Sequence, residues 1–172
     1  MRDMARRLAA ALLLAALTAL PAAAQSYPTR PIRIVVSFPP GGQTDVVARV
    51  VAEGLAPRLG TPVVVENRPG AGGNVGTEIV ARAPPDGHSL VVAAINNFGS
   101  NPALYRTMPY DPVRDFAHII HLVSSPNVVV VGAASPYRTL AELLAAARAR
   151  PGALTFGTAG AGSSLFLFME LL

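Results

Sequence analysis

Cysteine, tryptophan and lysine are all absent from this chain of 172 residues. Without cysteine there is no disulfide scaffold, no thiolate zinc site, no cysteine nucleophile and no lipidated N-terminal cysteine. Charge is also scarce. Only 14% of residues are charged while 51% are apolar, a balance that excludes a disordered chain. All 14 basic residues are arginine, and three of them, with one aspartate, lie in the first seven positions. Beyond those positions 11 arginines face nine acids, so the formal charge of +4 falls to +2. That surplus gives nucleic-acid binding little support. The longest apolar run, Leu8–Leu20, falls short of the roughly 20 residues that a membrane span needs.

Arg2, Arg6 and Arg7 precede that Ala/Leu run, Pro21 follows it, and Ala22-Ala23-Ala24 ends it with small residues. This is the order of parts in a secretory signal peptide. Residues 1–24 are therefore expected to be an export signal cleaved near Ala24, with the mature chain in the periplasm.

In the mature chain, strands are expected at Ile32–Ser37, Val63–Glu66 and Leu90–Ala94. Helices are expected between them, from Thr44 or Asp45 to Gly60 and from Asn74 to about Ala83. Val47, Val51, Leu55 and Leu59 form an apolar stripe along the first of these. This alternation implies an α/β fold with a parallel sheet covered on both faces. Further on, Ile119–Ser124, Asn127–Val131 and Leu154–Gly157 read as strands. Thr139–Arg150 reads as a helix, and another is expected to begin after Gly160-Ala161-Gly162-Ser163-Ser164.

Two glycine-rich loops carry most of the chemical information. In the first, Phe38-Pro39-Pro40-Gly41-Gly42-Gln43-Thr44-Asp45, a strand feeds directly into a helix start. The free N–H groups and positive dipole end there suit a carboxylate or phosphate. A tight turn capped by Thr44 or Asp45 explains the same residues. The spacing matches neither a P-loop nor a dinucleotide fingerprint. The second loop, Gly160–Ser164, repeats the geometry with two hydroxyls, but Phe166 stands where a nucleophile elbow needs glycine. His118 and His121 flank a strand-like Ile-Ile pair and so fall on opposite faces, which argues against a metal. His88 is expected in a solvated turn, and Asp111 and Asp115 are expected to cap a turn and a short helix. No nucleophile–base–orienter set emerges.

Several segments taken together resemble the substrate-binding proteins of tripartite tricarboxylate transporters, the Bug family. They are Tyr27–Ile32, Phe38–Gly42 with Thr44-Asp45, Val64–Asn74, Pro85-Asp86-Gly87, Asn101–Tyr105 and Pro109–Phe116. The resemblance implies a periplasmic type II solute-binding fold with two α/β lobes, no enzyme activity, no cofactor and no metal. It also implies a small carboxylate ligand and a two-component membrane permease as partners. The grip would come from Phe38 to Asp45, from Asn96 and Asn97 after the third strand, and from Gly160, Gly162, Ser163 and Ser164. Phe98 and Phe166 stand where histidine is common in the family, which points to a less polar ligand or to weaker binding of highly charged ones. Residues 25–126 would form the first lobe, and 127–172 a crossover strand and the start of the second. Because the family continues well beyond this point, the chain is expected to be a fragment. An exported enzyme acting on a small carboxylate and a sensing module without a transport role are the alternatives.

Overall fold

The structure, a computed structural model, describes residues 26–158, 160 and 162–172. The expected signal segment lies outside these residues. Three parallel strands form the sheet in the order β2-β1-β3: β1 is Ile32–Val36, β2 Val63–Asn67 and β3 Ser89–Val92. Ile32 lies opposite Val63 and Val36 opposite Asn67, while on the other side Arg33 lies opposite Ser89 and Val36 opposite Val92.

Strand β1 is almost continuously apolar because it is central and both its faces are covered. Ile32, Ile34, Val35 and Val36 are all buried. Even-numbered residues face helix α1, Gln43–Leu59, where Ile34 and Val36 pack with Ala48 and Ala52. Odd-numbered residues face helix α2, Asn74–Ala81, where the Ser37 and Thr77 hydroxyls lie 3.0 Å apart. The fold class expected from the alternation is the one observed.

The buried stripe of α1 is centred one position away from the expected one. Ala48 and Ala52 meet the sheet directly, while Val47, Val51, Leu55 and Leu59 flank them half-buried. Alanine lets the helix approach closely, and the larger side chains then close the edges of the interface. Gly60 ends the helix in the left-handed conformation at φ 63°, where a side chain would be strained. At Gly76 the constraint is space. A Cβ there would sit 2.7 Å from the Arg68 carbonyl oxygen and 2.9 Å from Ser37 Cα.

After β3 come two short helices, α3 (Ile95–Phe98) and α4 (Asn101–Leu104), then α5 (Leu140–Ala149) and α6 (Ser164–Leu171). Helix α5 carries a capping box. Thr139 Oγ1 accepts from Glu142 N–H, and the Glu142 carboxylate accepts from Thr139 N–H, each at 3.2 Å.

The expected strands at 119–124, 127–131 and 154–157 are not strands in the structure. A strand exists only when a neighbour completes its ladder, and among the described residues these segments pair with neither β2 nor β3. Their apolar side chains are left in solvent, with Ile120 74% and Val130 82% exposed. No helix among the described residues is long and apolar enough to cross a membrane.

Candidate functional site

The turn from β1 into α1 leaves Pro39, Pro40, Gly41, Gly42 and Gln43 exposed at the carboxyl end of the central strand, with Phe38 and Thr44 half-buried. Gly42 is the N-cap and no side chain caps the helix. The first helical bond runs from Val46 N–H to the Gly42 carbonyl at 3.0 Å. The N–H groups of Gln43, Thr44 and Asp45 precede it and so have no helical acceptor.

Asp45 is buried beneath this rim, its carboxylate bonded back to the Gly41 N–H. Oδ2 accepts from Gly41 N–H at 2.9 Å and from Arg49 Nε at 3.1 Å. Oδ1 accepts from Asn67 Nδ2 at 2.9 Å and pairs with Arg49 NH2 at 3.0 Å. The Arg49 bond, the Gly41 N–H and the Asn67 amide, in that order, hold the Asp45 pKa down at about 2. Gly41 N–H is therefore committed to Asp45. Arg49 and Asn67 were not singled out from the sequence as site residues. Arg49 was nevertheless legible as the (i, i+4) partner of Asp45, and Asn67 lies within the Val64–Asn74 segment of the resemblance.

Asn96 and Asn97 lie inside the protein. Asn96 Nδ2 donates to the Gly72 carbonyl at 2.7 Å, and Asn97 Nδ2 donates to the same oxygen at 3.2 Å. Asn101 Nδ2 supplies a third bond to it at 3.1 Å. Asn97 Oδ1 also accepts from Ala94 N–H at 3.2 Å. These amides thus fix the Ala71–Gly73 turn, and Asn97 leaves Gly73 no room for a side chain: a Cβ there would lie 2.5 Å from Asn97 Nδ2. Every buried side-chain N and O among the described residues has a partner.

The second loop packs on α4. Gly162 is buried, and a Cβ on it would sit 3.3 Å from Asn101 Oδ1. Ser163 is buried and caps α6, its Oγ accepting from Phe166 N–H at 3.2 Å. Gly160 and Ser164 are exposed. Asn96 and Ser164 meet in an open groove of about 300 Å³, lined otherwise by Ile95, Ser100, Asn127, Leu167, Phe168 and Leu171. The groove lining has no ionisable side chain. Among the described residues, no hydrogen bond joins this loop to Phe38–Asp45.

His88 is not in a solvated turn as expected: it is 5% exposed. Its Nε2 accepts from Thr29 N–H at 3.2 Å, which places the ring proton on Nδ1, 3.1 Å from the Asp86 carbonyl oxygen. The Tyr27 ring packs edge-on against it at 5.0 Å. His118 donates from Nε2 to the Pro112 carbonyl at 2.9 Å and packs on Phe98. Asp111 accepts from the N–H groups of Val113 and Arg114, and Asp115 accepts from Asp111 N–H, so the pair shapes a turn; the expected short helix does not form, because these side chains satisfy the N–H groups within the turn itself. No group of three His, Cys, Asp or Glu residues able to hold a metal occurs among the described residues.

Comparisons with known proteins point the same way. Residues 47–172 match the model of the tripartite tricarboxylate transporter family receptor. A UPF0065 protein of the tcbD-tcbE intergenic region of Pseudomonas sp. (strain P51) is 42% identical over 149 residues, covering 86% of this chain and 44% of the relative. Protein BugT of Bordetella pertussis is 39% identical, covering 89% of this chain and 47% of its own. The solved structure of R. palustris Rpa4515 with adipate aligns at a TM-score of 0.80 and 37% identity, covering 84% of this chain and 48% of that one. The chain spans about half the length of the curated relatives it matches. Half a relative's length, the shared parallel α/β fold and a family match across most of the sequence lead to one conclusion: the chain belongs to the tripartite tricarboxylate transporter receptor family.

Proposed function

We propose that this chain is the ligand-gripping first part of an exported solute-binding protein that captures a small carboxylate-bearing metabolite. Delivery is to a two-component membrane permease, and the role is binding rather than catalysis. The observation that carries the reading is the rim Pro39–Thr44. Main-chain N–H groups at the α1 N-terminus have no helical acceptor there, while the one carboxylate of the loop is buried and paired with Arg49. An anion meets the positive end of the helix dipole and no opposing charge. That a family member was solved with adipate supports a dicarboxylate. Gly160, Gly162, Ser163 and Ser164 would hold the far end of the ligand through main-chain donors at the start of α6. Asn96 and Asn97 would act by shaping the wall between the two loops. Residues 1–24 direct export, so the working compartment is the periplasm.

Titration calorimetry with adipate, malate and a neutral diamide of adipate tests this. Binding of the acids, rejection of the diamide, and a loss of about tenfold or more in Gly42→Val with the fold intact are expected. Equal affinity for acid and diamide would overturn the carboxylate assignment. Cell fractionation that leaves the protein in the cytoplasm with residues 1–24 attached would overturn the export assignment.

A further inference from the structure

The pairing that surrounds Asp45 is more elaborate than a helix start requires. The helix N-cap is Gly42, yet the Asp45 carboxylate reaches back to Gly41 N–H, outside the helix, and closes the turn itself. Asn67 completes the closure with both polar atoms of its side chain, which make three hydrogen bonds. Its Nδ2 donates to the Phe38 carbonyl at 3.1 Å and to Asp45 Oδ1 at 2.9 Å, and its Oδ1 accepts from Arg49 NH2 at 3.3 Å. Asn67 is the last residue of β2, in register with Val36, so the loop is tied to the sheet.

We infer that Asn67 and Arg49 are positioning residues for the anion loop: they pin the Phe38–Gly42 turn and keep the Asp45 charge from the incoming ligand. This rests on the reading of that loop as the carboxylate site. Released from Arg49, the Asp45 carboxylate would stand unneutralised in the first turn of α1 and repel an anion at its N-terminus. Released from Asn67, it would lose one of its fixed donors, and the Phe38 carbonyl would lose its side-chain partner. The helix itself does not depend on either residue, because its N-cap bonds are main-chain.

The test uses the full chain and the variants Asn67→Ala, Asn67→Asp and Arg49→Ala. Amide hydrogen exchange is followed at Gly41 and across β1 and β2, and adipate affinity is measured by calorimetry. In Asn67→Ala, exchange at Gly41 should accelerate about tenfold and affinity should fall about tenfold, with β1 and β2 still protected. Asn67→Asp fills the same space but lacks the donated hydrogens and adds a charge beside Asp45, so it should be at least as impaired. A residue that served only to fill space would give the opposite order. Arg49→Ala should lose affinity at low salt and regain part of it as salt screens Asp45.

Wild-type exchange at Gly41 in Asn67→Asp overturns the pinning. Faster loop exchange with unchanged adipate affinity overturns the positioning role. If the unsubstituted chain binds no carboxylate, the ligand reading falls, and Gly41 exchange alone upholds or overturns the pinning.

Discussion

Asn101 donates its side-chain amide to Asn74 Oδ1 at 2.7 Å, joining two segments 27 residues apart in the chain, and both residues are buried. The Tyr110 hydroxyl lies 2.9 Å from the same Asn74 oxygen and 2.9 Å from the Asn97 carbonyl oxygen. Burial, chiefly, raises the Tyr110 pKa above its ordinary value. Helices α2, α3 and α4 and the Tyr110 turn are thereby locked together.

Removing the Asn101 amide strips one of three donors from the Gly72 carbonyl and one from Asn74 Oδ1. A buried polar group left without its partner costs about 1–3 kcal/mol. Asn101→Ala should therefore lower stability by about that amount in a urea titration. An unchanged midpoint would mean that water replaces the amide.

Gly76→Ala should cost about 1–3 kcal/mol, the usual range for overpacking. The two nearest atoms a Cβ would meet are main-chain atoms of Arg68 and Ser37, which cannot swing aside like a side chain. Thermal unfolding checks this. Gly42→Ala is a control for fold stability, because the nearest atom to its Cβ is the Pro39 carbonyl oxygen at 3.5 Å, an ordinary contact.

Acid should destabilise the protein through two carboxylates. Asp45, held chiefly by Arg49, and Asp86, held chiefly by Arg30 and then by the His88 N–H, both titrate at about 2 against an ordinary 3.8. A folded pKa below the unfolded one means that their stabilisation is present above the unfolded value and is lost as pH falls through the folded one. Thermal midpoints should thus be insensitive to these groups above about pH 5 and should decline between about pH 4 and pH 2. Asp45→Asn should lower stability at neutral pH and make the acid decline shallower. An equally steep decline in that variant would assign the acid sensitivity elsewhere.

Apolar side chains stand in water along the extended segment. Ile119, Ile120, Val128 and Val130 are each more than 70% exposed, and Leu171 on α6 is 86% exposed. Each Leu or Ile removed from water gains about 1.5–3 kcal/mol, so association between chains is favoured. Sedimentation velocity on residues 25–172 should show concentration-dependent self-association. Ile120→Ser combined with Val130→Ser should shift the distribution toward monomer, and a wholly monomeric wild-type chain would refute the expectation.

Local chemistry was legible in the residues themselves. The apolar run Ile32–Val36, the glycine that ends α1 and the Thr139/Glu142 capping box each encode their conformation within a few positions, and each appears where the spacing places it. The parallel α/β order followed from the same short-range signals. What depended on distant partners was not legible. Ile119–Ser124 and Asn127–Val131 have strand-like composition but no ladder, because pairing requires a neighbour that composition cannot supply. Ala48 and Ala52 are the contact line of α1 because the sheet selects the closest approach, and the larger residues beside them do not. His88 is buried because Tyr27 and Thr29, some 60 positions earlier, fold over it. Asn96 and Asn97 point at Gly72 for a similar reason: a turn two dozen residues away brings its carbonyl oxygen within hydrogen-bond distance. The sequence by itself determined the helices and the three strands that pair with one another, because their signals are local. Tertiary structure alone decided which polar side chains were spent inside the protein, because a buried amide must take whatever partner the fold brings within about 3 Å.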